Sequence, residues 1–220
     1  MRAFLAVLVA ASFLAGCGGA GNDQSTTETT SAGGGSGGCA DVEPPDPRDA
    51  GSHEAPTAAL DTSKTYALTF ETSCGSFTVT LDPKLAPKTT ASLVALARDG
   101  YFDDTIFHRV VPGFVIQGGD PTQSGSGGPG YTTVDVPPAG AAYTKGVVAM
   151  AKSPTEAAGT AGSQFFVVTG ADAGLPPEYA IVGEVTEGMD TVDRIDALGV
   201  ADGPPSKPVV VTTVTVHESS

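Results

Sequence analysis

Two short stretches of the chain bring together residue types that could do chemistry. Phe107 to Asp120 reads FHRVVPGFVIQGGD, with Arg109 and Gln117 among aromatic and aliphatic residues, and 162–166 reads GSQFF. A guanidinium can stabilise a polar group by hydrogen bonding, and a cation among apolar side chains is costly to bury unless it is paired. This favours a functional role for Arg109. The alternative is an edge strand whose Arg109 extends to water along its aliphatic stem.

Other reaction classes lack their characteristic residues. The histidines His53, His108 and His217 are too scattered to indicate a metal site, and no cysteine pair has CxxC spacing. The glycine-rich stretch 125–130 lacks the GxxxxGK[ST] pattern of a phosphate-binding loop, and Ser163 lies in GSQ rather than in a GxSxG nucleophile elbow. We therefore expect no metal and no cofactor.

The composition argues against two classes of partner. The 220 residues contain 11 Lys+Arg against 25 Asp+Glu, which gives a formal net charge of −14. Nucleic acids and anionic membrane surfaces both bind clustered cations, so neither is an expected partner. The 29 glycines and 17 prolines indicate many turns and at least one linker.

The first residues predict export. Met1-Arg2 is followed by an apolar run, 3–15, which is too short to span a bilayer comfortably. The run ends in Leu-Ala-Gly-Cys at 14–17 and resembles a bacterial lipoprotein signal. The resemblance implies that 1–16 are removed and that Cys17 is lipidated, anchoring an extracytoplasmic protein to the bacterial cell membrane. The alternative is an ordinary secretory leader in which Cys17 is incidental.

Residues 17–62 are predicted to form a disordered, flexible tether. They are rich in Gly, Ser, Thr and Pro and have no apolar period, so they cannot bury enough apolar surface to offset their ordering entropy. With Cys17 as the anchor, Cys39 and Cys74 remain. In an oxidising exterior these two could form a disulfide that pins the tether to the first hairpin. The alternative is two independent thiols.

The remaining part, 63–218, is predicted to be mainly β. Alternating apolar and polar residues at 66–71 and 76–82 predict a hairpin, and the apolar spacing of 88–99 and 189–198 predicts two helices. Further strands are predicted within 107–120 and at 146–150, 165–169, 181–185 and 209–216. Many short strands with two separated helices favour a closed or nearly closed antiparallel barrel.

Taken in order, the motifs resemble those of the cyclophilin family of peptidyl-prolyl cis-trans isomerases. They are FHRVVPGFVIQGGD, GSGGPGY, GVVAMA, GSQFFV and EGMDTVDRI, and they cover about 64–218 in the family's order and spacing. The resemblance implies a closed antiparallel eight-stranded barrel capped by two α-helices. It also implies a monomeric enzyme that acts on X-Pro bonds of proline-containing polypeptides.

The family's site residues carry over one at a time. Arg109 matches the catalytic arginine, and Phe114 and Gln117 match further members of the catalytic site. The residues that match peptide-binding positions are Val115, Ala151, Lys152, Gln164, Phe166, Leu175 and Tyr179. Three of them differ from the family's usual residue. Val115 replaces a methionine, Lys152 replaces an asparagine, and Tyr179 replaces a histidine that many members carry.

The resemblance implies electrostatic catalysis. Rotation about an X-Pro bond faces a barrier of about 18–20 kcal/mol because the C–N bond is partly a double bond. In the twisted transition state the prolyl nitrogen becomes more basic, so a guanidinium aimed at it binds that state more strongly than the planar one. We therefore expect an enzyme that assists the folding of exported proteins. The alternative is a binding module for proline segments in which turnover is incidental.

Overall fold

The computed structural model of the protein describes residues 38–220. The predicted leader, Cys17 and the first part of the predicted tether lie outside these residues. Across the described part of the chain, no helix is both long enough and apolar enough to cross a lipid bilayer.

Residues 38–220 form eleven strands and two helices. The helices are α1 (Pro87–Arg98) and α2 (Met189–Asp196), so both helix predictions are confirmed to within two residues at each end. The strands are β1 (Thr65–Thr72), β2 (Gly75–Leu81), β3 (Thr105–Ile106), β4 (Arg109–Val111), β5 (Val115–Gly118), β6 (Thr133–Val134), β7 (Val147–Met150), β8 (Thr160–Ala161), β9 (Phe165–Val168), β10 (Ile181–Glu187) and β11 (Val210–Ser219).

Nine strands form one antiparallel sheet in the order β3-β11-β1-β2-β10-β7-β9-β5-β4, and β6 pairs with β8 in a second sheet. The protein is mainly β, but the prediction of a closed eight-stranded barrel is wrong, because the large sheet stays open between β3 and β4. These edge strands are only two and three residues long and follow each other in the chain. A loop covers the edge of β4 instead, since Val110 donates its N–H to the carbonyl of Gly203 at 2.8 Å.

Alternating residues of the sheet build the core. Along β1 the buried residues are Tyr66, Leu68 and Phe70, at every second position, as expected for a strand with one face in the core. Phe70 stacks on Phe77 of β2 with 4.9 Å between the ring centroids. The helices contribute Leu93, Val94, Leu96, Ala97, Val192 and Ile195 to the same cluster.

Residues 38–62, which we call the strap, lie against the domain. Cys39 and Cys74 form a disulfide. Arg48 donates a hydrogen bond to the carbonyl of Asp103 at 2.9 Å. The strap therefore contacts the domain at its beginning and near its middle.

The strap also reaches the loop between β5 and β6. His53 donates its N–H to the carbonyl of Pro129 at 2.9 Å, and Gln123 donates from Nε2 to the carbonyl of Pro45 at 2.8 Å. This differs from the prediction of a tether extending to residue 62. The tether was predicted because the sequence of this segment has no apolar period. The strap is instead held by a disulfide and by hydrogen bonds to backbone carbonyls, and neither kind of contact can be predicted from amino-acid composition.

His108, between β3 and β4, is partly buried, and its two imidazole nitrogens are shielded from solvent without a hydrogen-bond partner within the described chain. Burial lowers the pKa of His108 below its ordinary value of 6.5, and although nearby Asp120 opposes the decrease, Arg109 adds to it. Near the ordinary pKa, His108 therefore binds less proton in the folded protein than in the unfolded chain.

We expect the free energy of unfolding to fall as the pH is lowered from about 7 to about 5, because the unfolded chain takes up the proton that the folded protein excludes. Urea unfolding over this range should show a shallower pH dependence for His108→Gln than for the wild type. His217→Gln, at an exposed position, is the matched control. Equal slopes for the wild type and His108→Gln would contradict the expectation.

We expect the double variant Cys39→Ser, Cys74→Ser to lose about 4 kcal/mol in free energy of unfolding. The disulfide joins residues 35 positions apart and restricts the unfolded chain accordingly. Urea unfolding of the wild type with reductant should show the same loss, and reductant should leave the double variant unchanged. Equal stability of the oxidised and reduced wild type would show that the disulfide does not stabilise the fold.

Candidate active site

Strand register brings the predicted cation and its amide partner together. Arg109 on β4 is the register partner of Gln117 on β5, and Gln117 is the partner of Phe166 on β9. Directly paired residues point to the same face of a sheet, so these three share one face. The residues on the opposite face enter the main core and are Val110, Ile116 and Val167.

A series of hydrogen bonds runs across this face to a backbone carbonyl. Arg109 donates from Nη1 to Oε1 of Gln117 at 3.2 Å. Gln117 donates from Nε2 to Oε1 of Gln164 at 3.1 Å, and Gln164 donates from Nε2 to the carbonyl of Gly127 at 3.0 Å. Each amide accepts on one side and donates on the other, so the series has one direction and orients the guanidinium.

The loop after β5 holds Gly127 in place for the last of these bonds. The buried Asp120 carboxylate accepts N–H groups from Thr122 at 2.8 Å, Gly125 at 2.7 Å and Gly127 at 3.1 Å. Burial raises the pKa of Asp120, but the hydrogen bonds outweigh it and leave that pKa below its ordinary value. A Cβ at position 127 would lie 2.0 Å from Oδ1 of Asp120, so the loop requires glycine there.

On its other side Arg109 pairs with Asp202, a residue that the sequence analysis missed. Arg109 donates from Nε to Oδ1 at 2.5 Å and from Nη2 to Oδ2 at 3.1 Å. These hydrogen bonds hold the pKa of Asp202 below its ordinary value. Asp202 lies 93 residues after Arg109 in the stretch GVADGPPSK, and no local spacing links it to the earlier motif.

A small pocket of about 240 Å³ lies beside the guanidinium. Its volume suits one side chain or ring rather than a larger ligand. Nine of the ten residues that the sequence predicts for catalysis or peptide binding line it, and the tenth, Gln164, bonds to Gln117. The nine are Arg109, Phe114, Val115, Gln117, Ala151, Lys152, Phe166, Leu175 and Tyr179.

Aromatic packing supports the small pocket. Phe166 and Tyr179 meet edge to face with 5.7 Å between ring centroids. Behind them, the fully buried Tyr143 donates its hydroxyl to the carbonyl of Tyr179 at 2.8 Å and accepts the N–H of Tyr179 at 3.0 Å. Sequence reasoning did not assign Tyr143, because it stands in an irregular segment with no motif.

Lys152 is a second cation of the small pocket, and its ammonium is fully engaged. The side chain is only 3% exposed, and Nζ lies 3.1 Å from the Glu178 carboxylate. Nζ also donates to the carbonyl of Glu156 at 3.2 Å and to that of Ser153 at 3.4 Å. An ammonium has three N–H donors, so these acceptors offset the cost of burying it and leave none for a ligand.

A larger cavity of about 740 Å³ adjoins the small pocket and shares Gln117, Ala151 and Lys152 with it, and Gln164 lines the larger cavity alone. The cavity extends along the glycine-rich loop, 125–130. The two together form a surface that extends beyond a single residue and suits a segment of polypeptide.

Arg109 differs from Lys152 in keeping donors for a ligand. A guanidinium has five N–H groups, of which three are taken by Gln117 and Asp202. It does not lose its proton in proteins, so it can stabilise a lone pair or negative charge but cannot act as a base. The arrangement therefore suits electrostatic stabilisation of a group held in the small pocket.

Comparisons with known proteins identify the family. The family model described as "Cyclophilin type peptidyl-prolyl cis-trans isomerase/CLD" matches residues 67–216. Peptidyl-prolyl cis-trans isomerase-like 1 of Gibberella zeae is 37% identical over 160 residues, which cover 70% of this chain and 97% of that protein. Peptidyl-prolyl cis-trans isomerase-like 2 of Cryptococcus neoformans is 38% identical over 162 residues, and the match covers 70% of this chain but only 28% of that protein.

A solved structure of a cyclophilin type peptidyl-prolyl cis-trans isomerase from Cryptosporidium parvum has a TM-score of 0.64 and 29% sequence identity, covering 70% of this chain and 98% of that one. Its structure in the presence of the dipeptide ala-pro has a TM-score of 0.63 over 69% of this chain and 98% of that one. These relatives are eukaryotic, so the bacterial lipoprotein form stays a prediction from the leader. Motif, site geometry and similarity agree, and the chain belongs to the cyclophilin-type peptidyl-prolyl cis-trans isomerase family.

Proposed function

We propose that this cyclophilin-type isomerase acts on X-Pro bonds of exported proteins and assists their folding outside the cytoplasm, with Arg109 as the catalytic cation. The observation that carries the proposal is that Gln117 and Asp202 hold Arg109 from two sides, at the wall of the small pocket, whose other wall contains apolar side chains. A guanidinium fixed in this way needs no reorganisation when the reaction occurs.

Substrate binding follows from the lining of the small pocket. A proline ring is apolar and rigid, and Phe114, Val115, Phe166 and Leu175 offer an apolar surface of matching size. With the ring in this pocket, the prolyl nitrogen lies on the side of Arg109. The adjoining cavity then receives residues that precede or follow the proline.

The chemistry is stabilisation of a twisted amide. The planar X-Pro bond delocalises the nitrogen lone pair into the carbonyl, and this resonance is the source of the rotational barrier of about 18–20 kcal/mol. At the twisted transition state the lone pair returns to nitrogen and becomes a good acceptor. A remaining N–H of Arg109 then forms a stronger hydrogen bond than in either planar ground state, which lowers the barrier in both directions.

We expect Arg109→Ala to lower kcat/KM by about 10²–10³-fold, the effect of losing one preorganised donor to a transition state. A protease-coupled assay on a series of X-Pro peptides measures this. Arg98→Ala is the matched control, because Arg98 is an exposed arginine on α1 that pairs with Glu218 at 2.9 Å, and it should keep the wild-type rate. A wild-type rate in Arg109→Ala would remove Arg109 from the mechanism.

The same variant separates the enzyme from the binding-module alternative. Peptide affinity of Arg109→Ala, measured by calorimetry, should stay within a few fold of the wild type, since the apolar pocket remains. If turnover collapses while a cellular phenotype of the wild type persists in the variant, binding rather than isomerisation is the function. Loss of the phenotype together with turnover supports the isomerase.

We further propose that the protein is a monomer anchored by a lipid on Cys17 to the outer side of a bacterial cell membrane. Two observations support this location. The leader ends in Leu-Ala-Gly-Cys at 14–17, the pattern of a lipoprotein signal. The Cys39–Cys74 disulfide suits an oxidising compartment, since the cytosol keeps most thiols reduced.

We expect Cys17→Ala to move the protein from the membrane fraction to the soluble fraction of fractionated cells, because the lipid has no other attachment residue in the leader pattern. The double variant Cys39→Ser, Cys74→Ser is the matched control and should stay with the membranes. A wild-type protein found in the soluble fraction would contradict the anchor and leave the isomerase assignment untouched.

A further inference from the structure

We propose that Asp202 is a positioning residue of the isomerase, because its carboxylate holds Arg109 in the orientation in which the remaining N–H groups face the small pocket. The inference rests on the proposed role of Arg109 in catalysis. No motif in the sequence includes Asp202, which stands in an irregular loop after α2.

The pairing has the geometry of a side-on clamp. The carboxylate takes Nε at 2.5 Å and Nη2 at 3.1 Å, and Gln117 takes Nη1 at 3.2 Å. A bidentate arginine–carboxylate pair sets the plane of the guanidinium as well as its position. The two N–H groups left over, one on each Nη, are then confined to directions that the clamp determines.

The loop that carries Asp202 is itself placed against β4. Immediately after Asp202, Gly203 accepts the N–H of Val110 at 2.8 Å. Before it, Gly199 packs so closely on Pro112 that a Cβ at position 199 would lie 2.7 Å from the proline ring. The carboxylate is therefore presented from a loop fixed on both sides to the strand and turn that carry Arg109.

Asp202 should help Arg109 by orienting it more than it weakens Arg109 by neutralising its charge. Asp202 could weaken Arg109 by cancelling its charge, but its side chain is 68% exposed, and water and salt screen such a charge strongly. The bidentate hydrogen bonds act at contact distance and also fix the plane of the guanidinium, and this geometric effect is screened less than the effect of a distant charge. A partner that leaves Arg109 most of its electrostatic strength and orients its guanidinium favours catalysis.

Three side chains at position 202 should give three levels of catalytic activity. Asparagine keeps one oxygen for Nε, but its amide NH₂ faces the Nη2 donor, so half of the clamp is lost. Alanine loses both contacts. We therefore expect kcat/KM to fall in the order wild type, Asp202→Asn, Asp202→Ala, with the alanine variant about tenfold below the wild type. The loss should lie mainly in kcat, because the apolar pocket that binds the proline ring is unchanged.

The experiment is a double-mutant cycle on the whole chain in detergent micelles, using Asp202→Ala, Arg109→Ala and their combination in the X-Pro peptide assay. If Asp202 acts through Arg109, its removal has no further effect once Arg109 is gone. Asp193→Ala is the matched control, since Asp193 is half exposed and pairs with Lys145 at 2.8 Å away from the small pocket. Thermal unfolding of each variant confirms that the fold is kept.

The results distinguish the positioning role of Asp202 from an independent role and from no role. Non-additive losses with graded rescue by Asp202→Asn support the proposal. A wild-type or higher kcat/KM in Asp202→Ala, with Arg109→Ala inactive, overturns the positioning role and leaves the proposed function standing. Additive losses also overturn it, because Asp202 then acts independently of Arg109. Full activity in Arg109→Ala instead overturns the proposed mechanism on which this inference rests.

Discussion

The guanidinium of Arg109 has two competing requirements. It needs acceptors, because an unpaired cation beside apolar side chains is unstable, and it needs unused donors, because a fully paired cation has nothing to offer a substrate. Gln117 and Asp202 meet the first requirement with three hydrogen bonds and leave two N–H groups for the second. Lys152, in the same pocket, meets only the first, because all three of its donors are engaged.

The rest of the fold maintains this balance. Register between β4, β5 and β9 places the cation, the amide and Phe166 on one face, while the opposite face of the same strands fills the core. The buried Asp120 shapes the loop whose Gly127 carbonyl ends the hydrogen-bond series. The strap lies against that loop at Pro129, so the disulfide, the loop and the guanidinium belong to one connected set of contacts.

Much of the fold and the site could be predicted from the sequence, and the misses have common causes. Alternation along β1 and β2 and the helical spacing of α1 are local signals, and the motif around Arg109 is short and distinctive. Asp202 could not be predicted in this way, because it meets Arg109 across 93 residues from a loop without a pattern. Closure of the barrel was predicted wrongly because the number of strands does not reveal which strands pair, and β3 and β4 remain the two unpaired edges of the sheet.

The most direct test of the account is a crystal structure of the protein with a bound Ala-Pro peptide. The account predicts the proline ring in the small pocket, a terminal nitrogen of Arg109 within about 3.5 Å of the prolyl nitrogen, and the bonds to Gln117 and Asp202 retained. A ring bound elsewhere, or a guanidinium that turns away from the peptide while it stays on Asp202, would contradict the claim that Arg109 stabilises the twisted bond.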